Sequence, residues 1–249
     1  MNAPEAVSMA RRFSVDLNAD LGEGFPNDRQ LLERITSAGI CCGAHAGDSA
    51  SIRRTLDAAK ELGVIVGAHP GFPDREGFGR REQTATAAEV ERLILRQVED
   101  LARLAENSGI EIRFLKPHGA LYNQAQRQPE IAQGVVAAIR RLKLPLFGQP
   151  GTLLESLARE AEIRYVAEGF PDRRYRPDGS LVPRSDPTAL LHDPAEMAEH
   201  IERLLDSQNA IETLCIHGDD PAAVENVERV RQVLQSLGIE IKGFLDRAG

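Results

Sequence analysis

Short apolar runs alternate along the chain with longer segments of helical period, and this alternation constrains the fold more than any other feature. A parallel neighbour in a sheet needs a crossover of about a dozen residues or more, so strands that are separated by helices predict parallel pairing. Seven runs have the length and composition of strands: FSVDL (13–17), ITSAGICC (35–42), GVIVGA (63–68), IEIRFL (110–115), LPLFG (144–148), IRYVA (163–167) and TLCIHG (213–218).

Six segments between these runs are predicted helices, and glycine follows directly after residues 62, 108 and 237, as expected at helix ends. They are 51–62, 86–108, 129–142, 153–161, 194–205 and 221–237. The sequence has no GxGxxG fingerprint after the first strand and no GxxxxGK[ST] phosphate loop, which excludes the two commonest nucleotide-binding versions of an open sheet. We therefore predict an α/β fold in which about seven parallel strands form a TIM-like (β/α) barrel.

Length and charge limit the classes of protein to which the chain can belong. A chain of 249 residues, 42% of them hydrophobic, suffices for one large core, and we expect a single barrel domain over 13–249 after a short N-terminal extension, 1–12. A net charge of -8 without a basic tract argues against a nucleic-acid partner. No apolar run approaches the ~20 residues of a membrane span, so we expect a cytoplasmic protein with no membrane partner.

The three cysteines, Cys41, Cys42 and Cys215, lie in apolar strand segments. Two of them are adjacent in sequence, where a structural disulfide is sterically awkward, so we expect reduced thiols. Burial as small side chains explains them better than a catalytic role, and cysteine alone does not supply a zinc site here.

Four of the six histidines share one context, in which an apolar strand is followed by histidine and then by glycine within two positions. These are His45, His69, His118 and His217. Because every strand of a parallel barrel opens on the same face at its carboxyl end, we expect these side chains to converge on one active face. His192 and His200 lack this context and are predicted to be loop and surface residues.

Carboxylates accompany the first strand. Asp16, Asn18 and Asp20 occupy alternate positions of an extended segment and so share one face, and Glu23 lies in the glycine-bounded turn beyond it. Acidic side chains beside imidazoles act as general bases, histidine orienters or hard metal ligands. The alternative for Asn18 and Asp20 is capping of the following turn.

Further charged residues follow the other strands. Asp48 and Asp219 each come shortly after one of the four histidines, where N-capping of a helix is as good an explanation as a role in binding. Lys116 ends the fourth strand and is predicted to stabilise an oxyanion or a phosphoryl group, unless it is simply solvated. Loop arginines could hold an anionic substrate or lie on an ordinary surface: Arg80, Arg81, Arg173, Arg174 and Arg184.

Taken together, six motifs resemble the LamB/YcsF family in order and across nearly the whole chain. They are DLNADLGEG (16–24), CGAHAGD (42–48), GAHPGFPDREGFGRR (67–81), KPHGALYN (116–123), DRRYRPDGSLVPRS (172–185) and HGDDP (217–221). The chain departs from the family pattern at Ala44, where phenylalanine is usual, and at Ser49, where proline is frequent.

The resemblance implies a seven-stranded barrel related to glycoside hydrolases and carbohydrate deacetylases. It also implies the A subunit of an ATP-dependent 5-oxoprolinase, which opens the lactam ring of 5-oxo-L-proline to give L-glutamate together with B and C subunits. ATP, accompanied by magnesium, would be a cosubstrate, and no tightly bound organic cofactor is expected. The missing phosphate loop agrees with ATP being handled with the partners.

Within that scheme, Asp20 or Glu23 with His45 or His69 would position and deprotonate water. Lys116 and His118 would stabilise negative charge or protonate the leaving nitrogen. Side chains expected to contact substrate are Asp16, Asn18, Asp48, Tyr122, Arg184, His217 and Asp219.

Two other functions fit the same residues. The first is a metal-dependent hydrolase such as a deacetylase, although no two histidines have the short spacing of a compact metal motif, and the presence of a metal is left open. The second is a non-catalytic subunit that binds the substrate.

Overall fold

Strands and helices alternate through the residues that the computed structural model describes, which are 14–184, 186–191, 193–206 and 211–246. The predicted extension, 1–12, and His192 lie outside these ranges. In chain order the elements are β1 (Ser14–Leu21), α1 (Asp28–Leu32), β2 (Ser37–Cys41), α2 (Ser49–Leu62), β3 (Ile65–His69), α3 (Ala87–Ser108), α4 (Gly119–Ala125), α5 (Pro129–Leu142), β4 (Leu146–Gly148), α6 (Leu153–Glu160), β5 (Tyr165–Gly169), α7 (Pro194–Asp206), β6 (Thr213–His217), α8 (Ala223–Ser236) and β7 (Glu240–Ile241).

All strand pairs are parallel, in the order β3-β2-β1-β6-β5-β4, and β7 pairs with the start of β1. The gap between β3 and β4 is spanned by Leu115, which forms a parallel bridge to Ala68 on one side and to Leu146 on the other. The sheet therefore returns on itself, and the predicted parallel (β/α) barrel is confirmed.

The predicted fourth strand, 110–115, is reduced to this single bridge residue, and two prolines explain why its pairing with β4 is so short. Leu115 donates its N–H to the carbonyl oxygen of Pro145 and accepts from the N–H of Phe147. The next hydrogen bond between the two segments toward the start of the strand would need an N–H from Pro145. The next one toward its end would need an N–H from Pro117, and proline has no N–H. The short elements α1, α4 and β7 were not predicted.

The helices cover the outside of the barrel and begin and end at the expected signals. Asp48 caps α2 by accepting from the N–H groups of Ala50 and Ser51, and Gly63 ends the helix in the left-handed region. No helix within the described ranges combines the length and apolarity that crossing a membrane requires.

The amino ends of the strands are closed by an aromatic cluster inside the barrel. The rings of Phe114 and Phe147 stack with centroids 4.1 Å apart, and Phe244 meets both edge-on. All three side chains are buried. This end of the barrel is therefore a packed apolar floor.

Asp16 belongs to this floor rather than to the expected substrate-binding residues. Its carboxylate accepts hydrogen bonds from the hydroxyls of Thr36, Ser37 and Thr213 at 2.8, 2.7 and 2.5 Å, and from the N–H of Phe244 at 3.3 Å. The residue is fully buried and its carboxylate is saturated by hydrogen bonds from the protein, so it does not face the candidate site.

The aromatic floor yields a test of packing. An added Cβ at Gly67 would overlap the ring of Phe114, so we expect Gly67→Ala to lower the free energy of unfolding by about 1–3 kcal/mol. In a Phe114→Ala background the same change should cost little or should stabilise, because the methyl group then enters a cavity. Urea unfolding of the four proteins measures both effects.

Gly169→Ala is the matched control for this test, since an added Cβ there would sit at an ordinary 3.4 Å from its nearest neighbours. We expect its effect to stay within about 0.5 kcal/mol. Equal losses at the two glycines would contradict the overlap with Phe114, as would an unchanged cost of Gly67→Ala when the ring is absent.

Candidate active site

Three of the four strand-end histidines meet at the carboxyl mouth of the barrel. His69 is the last residue of β3, His45 lies in the loop after β2, and His118 immediately precedes α4. Nδ1 of His118 is 2.9 Å from Nε2 of His69, and the rings of His45 and His118 stack with centroids 3.8 Å apart. The expected convergence is thus observed for these three.

Glu23 completes a buried group, which we call the histidine cluster: Glu23, His45, His69 and His118. Oε1 of Glu23 is 3.2 Å from Nε2 of His45 and 3.4 Å from Nδ1 of His118. Burial and the nearby charge of Asp20 raise the pKa of Glu23 well above its ordinary value. Burial lowers the pKa of His45 to about 3 and that of His118 well below its usual range.

Two glycines make room for the stacked rings. An added Cβ at Gly71 would lie 2.7 Å from Nδ1 of His45, and one at Gly79 would lie 2.9 Å from Cβ of His45 and 3.0 Å from Cδ2 of His118. Gly79 also has φ +65°, which disfavours a side chain. The glycines of the segment 67–81 are therefore part of how the site is built.

A second buried group surrounds the ammonium of Lys116, and we call it the lysine network. Nζ is 2.8 Å from both Oδ1 of Asp20 and Oε1 of Glu168. It is also 3.0 Å from Oδ1 of Asn18 and 2.9 Å from Sγ of Cys215. Burial alone would lower the pKa of Lys116, but these neighbours raise it well above its ordinary value.

Asp20 connects the two groups. One carboxylate oxygen faces Lys116, and the other, Oδ2, is 3.4 Å from Nε2 of His69. Although burial opposes ionisation, His69 and Lys116 hold the pKa of Asp20 well below its ordinary value. The mouth of the barrel therefore contains an ionised carboxylate in an otherwise buried setting.

The fourth strand-end histidine, His217, stands apart from the other three. Its Nδ1 is 2.9 Å from Oδ2 of Asp172, and its ring stacks on Phe170 with centroids 5.4 Å apart. Burial would raise the pKa of Asp172, but His217 and the arginines beside it lower that pKa to about 2. His217 is thus an oriented ring on a different wall of the site.

Arginines stand at the rim near Asp219. Nη2 of Arg80 is 2.5 Å and Nη1 of Arg184 is 3.3 Å from the carboxylate of Asp219. Burial acts against ionisation of Asp219, but Arg184 and Arg80 lower its pKa below the ordinary value. Two guanidinium groups, both paired with Asp219, therefore stand at this rim, and groups of this kind recognise carboxylates and phosphates.

The remaining expected residues divide into two groups. Asn18 is in the lysine network, and Tyr122 is buried edge-on against Phe170. Asp48 is an exposed cap of α2 and does not join the converging side chains. His200, predicted as a surface residue, is instead buried on α7, where Nε2 is 3.2 Å from the carbonyl oxygen of Phe170, because that face of the helix packs against the barrel.

Sequence reasoning missed two carboxylates and undervalued one thiol. Glu168 lies within an apolar strand, and its one signal was an acidic residue in a run that is otherwise buried. Asp172 opens the motif at 172–185, and the apolar context of Cys215 predicts only a small buried side chain. Their partners come from other strands, so sequence spacing alone could not pair them.

The structure also changes the interpretation of metal binding. The sequence has no compact ligand motif, yet two groups of described residues each bring possible ligand atoms within 4.8 Å of one another. One is the histidine cluster, and the other is Asp20, Cys215 and His217. Imidazole and carboxylate groups in such numbers are suitable ligands for a divalent ion.

Comparison with known proteins agrees with this architecture. A solved structure of the lactam utilization protein from Thermus thermophilus is similar with a TM-score of 0.84 and 38% identity, covering 93% of this chain and 100% of the other. The A subunit of 5-oxoprolinase from Azorhizobium caulinodans is 42% identical over 93% of this chain and 98% of its own length. The protein of the same name from Pyrococcus abyssi is 38% identical over 94% and 99%.

A family model described as the LamB/YcsF family matches residues 15–248, which include the histidine cluster, the lysine network and the rim arginines. The chain belongs to the LamB/YcsF family.

Proposed function

We propose that this chain is the subunit of an ATP-dependent 5-oxoprolinase that opens the lactam ring of 5-oxo-L-proline to give L-glutamate. Relatives that carry the name of the 5-oxoprolinase A subunit, 42% and 38% identical to it, support the proposal. The structural observation that carries it is the carboxylate of Asp20, held between the ammonium of Lys116 and the imidazole of His69 at the barrel mouth.

The chemistry of the substrate explains why ATP and partner subunits belong to the proposal. Amide resonance makes a lactam carbonyl carbon a poor electrophile, and phosphorylation of its oxygen removes that resonance. We assign this step, with ATP and magnesium as cosubstrate, to action with the B and C subunits, because the present sequence contains no phosphate loop. This chain then needs no organic cofactor of its own.

The barrel performs the hydrolytic step. Water adds to the activated carbon and gives its proton to Asp20, which the ammonium of Lys116 keeps ionised. The ring C–N bond then breaks, and the proton returns to the leaving nitrogen. The acyl phosphate that remains is hydrolysed by a second water to L-glutamate and phosphate.

The rim arginines bind the substrate in this proposal. 5-Oxo-L-proline carries one carboxylate, and guanidinium groups recognise carboxylates through paired hydrogen bonds. Arg80 and Arg184 are held at the mouth by Asp219, so they are in place before a ligand arrives. His217, fixed by Asp172, forms the adjacent wall.

Lys116 is a positioning residue rather than a group that contacts the substrate. Its ammonium is buried and already has four partners, so its role is to compensate two carboxylates and to fix one of them as a base. Burying Asp20 and Glu168 without this cation would cost several kcal/mol of folding free energy.

A second candidate function is a metal-dependent hydrolase of the deacetylase type, and the histidine cluster is the observation that favours it. Such an enzyme would hydrolyse amides or esters without ATP. The two functions therefore differ in whether product formation requires ATP and the partner subunits.

We expect Asp20→Asn to lower ATP-dependent glutamate release by roughly 10²–10⁴-fold in the presence of the B and C subunits, since general-base catalysis is lost. The measurement is glutamate formed from 5-oxo-L-proline with the complete set of subunits. Asp100→Asn, the same chemical change on a half-exposed carboxylate of α3, should leave the rate within about twofold.

Two results would count against the proposal in different ways. Undiminished turnover by a folded Asp20→Asn protein would remove Asp20 as the base and favour a protein that only binds the substrate. No glutamate from the wild-type chain with its partners would remove the proposed function itself, and ATP-independent release of acetate from acetylated sugars would favour the second candidate.

We expect Lys116→Met to lower the free energy of unfolding by about 3–5 kcal/mol, because Asp20 and Glu168 then lack their cation. Adding Glu168→Gln should recover part of that loss, since one of the two buried carboxylates becomes neutral. Denaturant unfolding of the wild type, both single variants and the double variant gives the coupling energy. Strictly additive losses would contradict the charge compensation that we describe.

A further inference from the structure

We infer that the mouth of the barrel binds a phosphoryl group, with the guanidinium groups of Arg173 and Arg184 as its donors. The inference rests on the proposed function for the identity of the ligand, because the phosphorylated lactam is the molecule that would bring such a group to this chain. The phosphoryl group then lies beside the substrate carboxylate that the rim arginines bind.

An excess of positive charge is the first observation. Arg80 and Arg184 share the single carboxylate of Asp219, at 2.5 and 3.3 Å. Burial and the charge of Arg184 lower the pKa of Arg173 to about 10, Arg80 adds to this effect, and Asp172 opposes it. Among the described residues, three guanidinium groups that repel one another are therefore accompanied by the carboxylates of Asp172 and Asp219.

Buried donors without an acceptor are the second observation. Within the described part of the chain, neither Nε of Arg173 nor Nη2 of Arg184 has a hydrogen-bond partner, although both atoms are buried. Arg173 is only 6% exposed, and Nη2 of its side chain donates to the neutral carbonyl oxygen of Val182 at 2.7 Å. A guanidinium group does not lose its proton, so burial without a paired charge is costly. An anion that accepts from both arginines would remove this cost.

The position of these arginines places such an anion at the candidate active site. The side chain of Arg184 is 18% exposed, so a ligand in the mouth can reach it. Burial raises the pKa of Glu23, and the charges of Arg80 and Arg184 oppose that rise. The arginines therefore stand within electrostatic reach of the histidine cluster.

The number of donors favours a phosphoryl group over a second carboxylate. A carboxylate has two oxygens in one plane and is satisfied by one guanidinium fork, whereas a phosphoryl group has three acceptor oxygens and up to two charges. In the proposed function, the substrate carboxylate uses the outward donors of Arg80 and Arg184. Arg173 and the buried Nη2 of Arg184 remain for the second anion.

Two ligands built on the same carbon chain test the inference. Glutarate carries a carboxylate at each end, and 4-phosphonobutanoate carries a phosphonate in place of one of them. Calorimetric titration of the full chain, without ATP or partner subunits, measures the affinity for each. We expect 4-phosphonobutanoate to bind at least about tenfold more tightly, because it gains charge-assisted hydrogen bonds.

Substitution of Arg173 shows whether that preference comes from the proposed donors. Arg173→Gln should lower the affinity for 4-phosphonobutanoate by about tenfold or more and leave that for glutarate within about twofold. Arg174→Gln is the matched control, since the neighbouring side chain pairs with Glu196 of α7 instead, and both affinities should stay unchanged. Equal affinities of the wild type for the two ligands would overturn the inference, as would a preference that survives Arg173→Gln.

A second variant and a competition experiment cover the case in which Arg173→Gln does not fold. Arg184→Lys keeps the charge on a partly exposed side chain but removes the fork, so it should weaken the binding of 4-phosphonobutanoate by about tenfold. In the wild type, inorganic phosphate should displace 4-phosphonobutanoate, and chloride at equal ionic strength should not. A phosphonate that inorganic phosphate does not displace would contradict the phosphoryl site.

Failure of the inference differs from failure of the proposed function. Glutamate formation by the complete set of subunits, without any preference of this chain for the phosphonate, would overturn the inference alone. A clear preference for the phosphonate without glutamate formation would support the phosphoryl site and remove the proposed function.

Discussion

The ammonium of Lys116 is the charge around which the carboxyl end of the barrel is organised. Its four partners come from β1, β5 and β6, and its own backbone lies in the short segment that closes the sheet between β3 and β4. One cation thus ties together strands from opposite sides of the barrel. Because a buried charge is tolerated only when it is paired and hydrogen-bonded, these strands cannot separate without exposing the network.

Asp16 and Asp20 show how strongly depth within the barrel determines the character of a carboxylate. They lie on the same face of the same strand, four residues apart. Burial raises the pKa of Asp16, which neutral hydroxyl donors only partly offset, whereas His69 and the ammonium of Lys116 hold that of Asp20 well below its ordinary value. Asp16 therefore serves the floor of the barrel, while Asp20 is charged and faces the mouth.

This difference also explains how far the sequence predicts the site. Periodicity predicts which residues share a face of a strand, and the shared glycine context predicts where strands end. These two signals make the barrel and the convergence of His45, His69 and His118 predictable. Periodicity does not give the depth of a residue along the barrel axis, so it predicts the same contact with substrate for Asp16 as for Asp20. The roles of Glu168 and Asp172 depend on partners from other parts of the chain, Lys116 and His217. The effect of the two prolines on the fourth strand depends on its hydrogen-bond register with β4, which the sequence of one segment does not show.

The ladder between β1 and β6 has a consequence during synthesis of the protein. Asp16 pairs with Thr213, which is 197 residues later in the chain. At a synthesis rate of ~5–20 residues per second, roughly 10–40 s pass between the synthesis of β1 and the synthesis of this neighbour. An unpaired strand edge invites aggregation, and charged residues that point into the future core discourage it. Asp16 and Asp20 are two such residues, since both are buried side chains of β1 in the folded protein.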